Sequence, residues 1–275
     1  MNDFAKPIDY SPFDFLTVEV DDDGIALVTM NDPDKLNAVG PHNHWQLEDI
    51  WLKLARDESI KVIVLTGAGR AFCAGGDVKK MAERAQTEYG LQYALRVPQN
   101  TLRLWEHLLL CPQPIIAAVN GDAIGLGTSL FLFCDISIVA DDAKVGDTHI
   151  RVGLVAGDGG AVMWPLVVGP QKAKEYLMRG KLLNGAKAAE IGLVNHAFPR
   201  DKVLEESMAI AREIAAQPVW AVRWSKAAVN KQVKAQVNQV LELSIAYESM
   251  TMLTHDYAEA TRAFANKEKP VFKGF

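Results

Sequence analysis

The sequence predicts an α/β core followed by a helix-rich C-terminal region. Strand-like and helix-like segments alternate up to about residue 160, and helix-like segments dominate beyond it. Two apolar β runs, residues 61–66 and 114–119, each lead into a glycine-rich turn and then a helix start. The chain has 275 residues, 49% of them hydrophobic, which is enough for one large core.

Taken in order, residues 1–13 hold two prolines and little periodicity and read as an arm. Residues 15–20 and 25–30 are apolar or alternating around Asp21-Asp22-Asp23-Gly24, a hairpin signal. Residues 41–55 are helical, with Trp45, Leu47, Ile50, Trp51 and Leu54 assigned to one stripe. Residues 61–66 form a buried strand, and residues 77–85 start a helix. The stretch 86–93 carries no clear pattern, and 97–110 is helical with one apolar side. Residues 114–119 and 135–140 are strands on either side of the second glycine turn. Later helices break at Gly169-Pro170, Gly180, Gly192 and Pro218. The predicted division is an arm (1–13), a core (14–200) and a helical C-terminal region (201–275).

The formal charge is −5 and there is no long basic block, which argues against nucleic acid or an anionic membrane as partner. Three cysteines, Cys73, Cys111 and Cys134, give neither a disulfide framework nor zinc spacing and read as small apolar packing. No charged n-region with an apolar h-region opens the chain and no span fits a bilayer, so the expected setting is cytoplasmic. No metal-binding set emerges.

The two turns carry the chemical signal. The first block runs Val62-Ile63-Val64-Leu65-Thr66-Gly67-Ala68-Gly69-Arg70-Ala71-Phe72-Cys73-Ala74-Gly75-Gly76-Asp77. The second runs Pro114-Ile115-Ile116-Ala117-Ala118-Val119-Asn120-Gly121-Asp122-Ala123-Ile124-Gly125-Leu126-Gly127-Thr128. A strand, a glycine turn and a helix start point free N–H groups and a helix dipole at one spot. Two such turns side by side can form an oxyanion hole for charge developing on a carbonyl oxygen. The bland alternative is that the glycines only let strands enter helices closely.

The pair of blocks resembles the crotonase (enoyl-CoA hydratase/isomerase) superfamily. Two further pieces agree: Asn31-Asp32-Pro33 through Asn37-Ala38, and Gly153-Leu154 through Gly159-Gly160. The resemblance runs from about Phe15 to the C-terminus. It implies a spiral of ββα turns with a helical C-terminal region that assembles a homotrimer or a dimer of trimers. It implies an acyl-CoA thioester substrate, with coenzyme A as part of the substrate and no tightly bound cofactor.

Residue by residue, the resemblance places the oxyanion-hole amides at Gly76 and Leu126. Leu126 is a departure, since the family usually has glycine there. Lys35, Ala38, Ala74, Asp77, Val78, Lys79, Phe272 and Lys273 match segments used around the acyl-CoA. Asp77 reads equally as a helix N-cap and Lys79 as a solvated helix residue.

Family hydratases use two glutamates to add water to an enoyl thioester. Here their positions hold Ser129 and His149. A standard two-glutamate hydration is therefore not expected. His149 can act as base or acid near neutral pH, and Asp158 nine residues later can orient it. A similar His…Asp spacing occurs in the superfamily's β-diketone hydrolase branch, which has another active-site histidine. His42 and His44 reach the site only if tertiary contact brings helix 41–55 there. Asp147 and Arg151 are reserves, and Asp158 reads alternatively as the N-cap of the next helix. Trp164 reads as core or acyl-pocket wall.

The leading expectation is an acyl-CoA-processing enzyme that stabilises a thioester enolate. The first alternative is a carbon–carbon or thioester hydrolase using His149 and Asp158. The second is a non-catalytic acyl-CoA binding protein.

Overall fold

A computed structural model describes residues 8–275. Residues 1–7 of the expected arm lie outside the described residues. The remainder of the arm packs down, with the Tyr10 hydroxyl donating to Asp57 Oδ2 at 2.8 Å.

The strand segments sort into two sheets. A six-stranded sheet holds β1 (Leu16–Val20), β2 (Ile25–Met30), β3 (Val62–Gly67), β5 (Ile115–Val119), β7 (Ile136–Ala140) and β10 (His196–Phe198), in that spatial order. A four-stranded sheet holds β4 (Ala71–Cys73), β6 (Asp122–Ile124), β8 (Lys144–Gly146) and β9 (Leu183–Asn184). The β1–β2 hairpin is antiparallel, in register from Leu16 opposite Met30. From β2 to β10 the larger sheet is parallel.

Successive strands alternate between the sheets: β3 then β4, β5 then β6, β7 then β8. Each pair leads on to a helix, which gives the expected ββα spiral. Every residue of β3 and β5 is buried, as parallel strands covered on both faces must be.

The helices are α1 (Pro41–Arg56), α2 (Val78–Arg84), α3 (Glu88–Leu110), α4 (Leu126–Phe133), α5 (Gly160–Val168), α6 (Pro170–Arg179), α7 (Gly185–Glu190), α8 (Val203–Ala215), α9 (Val219–Thr251) and α10 (His255–Asn266). Helix α8 packs on β3, β5 and β7, and α3 packs on both α1 and α9.

Two details differ from the expectations. Helix α3 begins at Glu88, because Thr87 caps it by accepting from the Gly90 N–H, and it carries Pro98 within it. Trp45 is 56% exposed, since the buried stripe of α1 runs through Leu47, Ile50, Trp51 and Leu54 and leaves residue 45 outside. The breaks at Gly169, Gly180 and Pro218 fall at helix ends, as expected.

Candidate active site

Two asparagines hold the glycine turns. Asn37 Nδ2 donates to the carbonyls of Ala68, Ala71 and Phe72 at 3.0, 2.9 and 3.2 Å, while its Oδ1 accepts from the Asp32 N–H at 2.9 Å. This fixes the β3–β4 turn. Asn120 Nδ2 donates to the carbonyls of Gly67 and Gly69 at 2.8 and 3.0 Å, tying the second turn to the first.

Two glycines permit the close approach. Gly75 has φ +81°, and a Cβ there would lie 2.4 Å from the Ile124 carbonyl oxygen. A Cβ on Gly127 would lie 2.3 Å from the Cys73 carbonyl oxygen. Both neighbours are backbone and cannot swing away, so only glycine lets the turns touch.

Gly76 and Leu126 therefore line one cavity. Neither N–H has a hydrogen-bond acceptor among the described residues. Leu126 is the first residue of α4, so its N–H is one of the free donors at a helix start. The positive φ that a leucine would resist falls on Gly125, at +55°.

The cavity measures about 70 Å³ and is lined by Gly76, Leu126, His44, His149, Asp158 and Glu248 among others. His149 opens a short 3₁₀ turn (His149–Val152) just after β8. Its ring packs against the second turn, 3.4 Å from where a Cβ on Gly125 would stand. Nδ1 contacts Asp147 Oδ1 at 2.8 Å, and Nε2 contacts Asp158 Oδ2 at 3.2 Å.

Asp158 is held from two more sides. Ser129 Oγ donates to its Oδ1 at 3.0 Å, and the Trp105 indole N–H donates to its backbone carbonyl at 2.7 Å. Its side chain does not cap α5, whose N-cap is Gly159 without a side-chain bond. The capping alternative for Asp158 is thereby set aside. For Asp77 the cap is real, since its carboxylate accepts from the Lys79 and Lys80 amides.

The electrostatics follow from burial and pairing. Burial alone would lower the His149 pKa, but the carboxylates of Asp147 and Asp158 outweigh it and raise it well above the usual histidine value. Burial would raise the Asp158 pKa, but His149 and Ser129 hold it below the usual carboxylate value. Glu248, from α9, goes the other way. Burial is the main cause, Asp158 and Asp147 add to it, and His149 offsets only part, leaving its pKa at about 8. Its Oε2 is buried with no hydrogen-bond partner among the described residues.

His44, from α1, completes the wall. Its Nδ1 contacts Glu48 Oε1 at 2.9 Å, and Arg103 Nε donates to Glu48 Oε2 at 2.9 Å. Burial pushes the Glu48 pKa up, yet those two hydrogen bonds bring it below its ordinary value.

Asp147, His149 and Asp158 offer ligand atoms within 4.8 Å of one another, close enough for a metal ion. Both histidine nitrogens already face carboxylates, so an ion would have to displace an imidazolium proton.

The structure brings together Gly76, Leu126, His149 and Asp158. Lys35, Ala38 and Asp77 line a larger outer cleft of about 740 Å³. Lys80 lines it, whereas Lys79 does not. Ala74 is tied back by its N–H to the Leu36 carbonyl. Val78 is half-buried at the first position of α2. Phe272 is exposed, and Lys273 borders a separate groove beside α10, where its N–H donates to Asp256. Trp164 is a buried core residue beside Tyr176 and does not line the site cavity. His42 reaches only the outer cleft, where it contacts Asp14.

Sequence reasoning missed three participants. Asp147 was a reserve, yet it is the residue on Nδ1. His44 needed the packing of α1 to reach the cavity. Glu248 lies on a stripe of α9 whose buried positions are Val237, Leu241, Ser244, Ile245 and Glu248. A carboxyl on such a stripe is the signal that could have found it.

Comparison with known proteins shows the family and the fold. The family profile described as "Enoyl-CoA hydratase/isomerase" matches residues 21–274. The 1,2-epoxyphenylacetyl-CoA isomerase of Escherichia coli is 31% identical over 251 residues, 91% of this chain and 95% of that protein. The crystal structure of an enoyl-CoA hydratase/isomerase from Mycobacterium paratuberculosis superposes with a TM-score of 0.84 at 34% identity, covering 90% of this chain and 97% of that one. A β-diketone hydrolase from Anabaena sp. has the same fold, with a TM-score of 0.79 at 24% identity over 92% of this chain and 98% of that one. With the profile spanning nearly the whole sequence, the chain belongs to the enoyl-CoA hydratase/isomerase family.

Proposed function

We propose that this chain processes an acyl-CoA thioester through an enolate held by the Gly76 and Leu126 amides, without the two-glutamate chemistry of a standard hydratase. The observation that supports it most is one cavity with two free amides on its wall beside an ionised Asp158–His149 pair and a protonated Glu248. Amides without acceptors favour charge that appears only during reaction. Carboxyls with pKa values pushed apart divide acid from base.

In this reading the thioester oxygen lies between the two amides. The Asp158–His149 pair takes a proton from the α-carbon or from water as one unit. Asp147 fixes the ring through Nδ1. Glu248 returns a proton. Coenzyme A enters as part of the substrate, along the outer cleft, and no tightly bound cofactor is required. The assembly is a homotrimer or a dimer of trimers, supported by the exposed Trp220, Trp224, Val229, Leu243, Tyr247 and Met250 of α9. Sedimentation at micromolar concentration is expected to give three or six times the chain mass, and a monomer alone would remove the assembly.

A second reading is hydrolysis of a carbon–carbon bond in a β-diketone, and His44 favours it. With Nδ1 engaged by Glu48, its Nε2 is the nitrogen left for a second carbonyl in the cavity. A substrate panel separates the readings. Crotonyl-CoA hydration is expected to run roughly 10²–10⁴-fold below a two-glutamate hydratase assayed alongside, the usual cost of a missing acid or base. Equal rates would sink the argument from Ser129 and His149. Cleavage of a free cyclic 1,3-diketone would select the hydrolase, and thioester binding without turnover of any substrate would select the binder.

A further inference from the structure

Arg84 ends α2 and is only 9% exposed. The more exposed Arg103, Arg179, Arg200 and Arg262 each pair with a carboxylate. Among the described residues Arg84 pairs with none. Its guanidinium carbon lies 3.8 Å from the ring centroid of Tyr93. Burial raises the pKa of the Tyr93 and Tyr257 phenols more than the Arg84 charge pulls it back, so both stay neutral. Glu248, on the same cavity, is protonated near neutral pH and supplies no counter-charge. Arg84 is thus a largely buried cation with no anionic partner among the described residues, a costly arrangement unless an anion arrives.

The place of Arg84 explains what could supply that anion. Arg84, Tyr93 and Met252 line the site cavity and also a second cavity of about 520 Å³ that extends toward Tyr257. A chain leaving the carbonyl position between Gly76 and Leu126 can pass the arginine to reach that space. Arg84 also borders the outer cleft, where a coenzyme A phosphate is the other available anion. Tyr93, which the guanidinium covers, lines only the two inner cavities. That favours an anion carried by the acyl group.

We propose that the acyl group of the substrate carries a distal carboxylate and that Arg84 binds it. The inference rests on the acyl-CoA reading above and names its substrate class. The planar fork of arginine suits two parallel bonds to a carboxylate, and the neutral phenols add further polar contacts.

Calorimetric titration with two saturated five-carbon thioesters, glutaryl-CoA and pentanoyl-CoA, tests it. Wild type is expected to bind glutaryl-CoA at least about tenfold more tightly, the low end for a charged hydrogen-bonded pair. Arg84→Met is expected to lose about 10–100-fold for glutaryl-CoA and to leave pentanoyl-CoA nearly unchanged. Arg84→Lys keeps charge without the fork and is expected to fall between; it carries the test if the methionine variant does not fold. Equal wild-type affinity for the two thioesters overturns the role of Arg84 and leaves the acyl-CoA reading standing. Equal weakening of both by Arg84→Met assigns the arginine to coenzyme A instead. Binding of neither thioester overturns the acyl-CoA reading and this inference together.

Discussion

Replacing His149 with alanine is expected to cut turnover by roughly 10²–10⁴-fold and to destabilise the fold by about 3–5 kcal/mol at neutral pH. The rate loss follows because, in the proposed reaction, the Asp158–His149 pair on the cavity wall is the proton carrier. The stability loss follows because the ring stands between two buried carboxylates, with Glu248 close by. Without the imidazolium those carboxylates face one another unpaired.

The pH dependence has a definite sign. The folded His149 pKa is raised, so its stabilisation is complete below the ordinary histidine value and fades as pH rises through the folded value. The folded Asp158 pKa is lowered, so its stabilisation holds above the ordinary carboxylate value and fades as pH falls through the folded one. The wild-type advantage over His149→Ala should therefore shrink on acidification. Urea unfolding at acid and neutral pH, beside turnover, measures this. His149→Gln should fail almost as badly in turnover, since glutamine cannot carry the positive charge that keeps Asp158 ionised. A fully active alanine variant, or one as stable as wild type, would end the assignment.

Glu248→Gln is expected to have opposite effects on activity and stability. Turnover should drop roughly 10²-fold or more, and neutral-pH stability should rise by an amount on the order of a few kcal/mol. The native carboxyl, with its pKa at about 8, stays protonated over a range where the unfolded one, at 4.5, has ionised. Its stabilising protonation is complete below the unfolded value and lost as pH rises through the folded one. Glutamine carries no such penalty. The two proteins should match in stability below about pH 4.5, diverge above it, and reach a constant difference beyond about pH 8. The wild-type rate should also fall as Glu248 ionises, a limb the glutamine variant lacks. Parallel stability curves would show that Glu248 ionises as an ordinary surface carboxyl does.

The strands and the two glycine turns were legible because their signals are local. An apolar run followed by glycines needs nothing beyond ten to fifteen neighbouring residues to be read. His149 and Asp158 were legible through resemblance, and so was the place of Leu126. The site's other groups came from distant elements. His44 arrives from α1 and Glu248 from α9, and no spacing in the chain announces that residues of these two helices line one cavity with His149 and Asp158. The start of α3 was hidden for a different reason. A threonine cap at Thr87 and an interior proline at Pro98 give opposing local signals, and packing on α1 and α9 decides between them.

The asparagine clamps have a consequence for how such a protein can change its reaction. Asn37 and Asn120 grip carbonyls, and Gly75 and Gly127 clear the path between backbones, so none of these four contributes a proton carrier. The positions proposed to carry protons, or that stand where family glutamates would, are Ser129, His149, Asp158 and Glu248, and none of them holds a turn in place. Scaffold and reagent are thus encoded by separate residues. A lineage can exchange reagents one at a time while the scaffold persists, and under the proposed reading the leucine at position 126 serves through its main chain whatever side chain it bears.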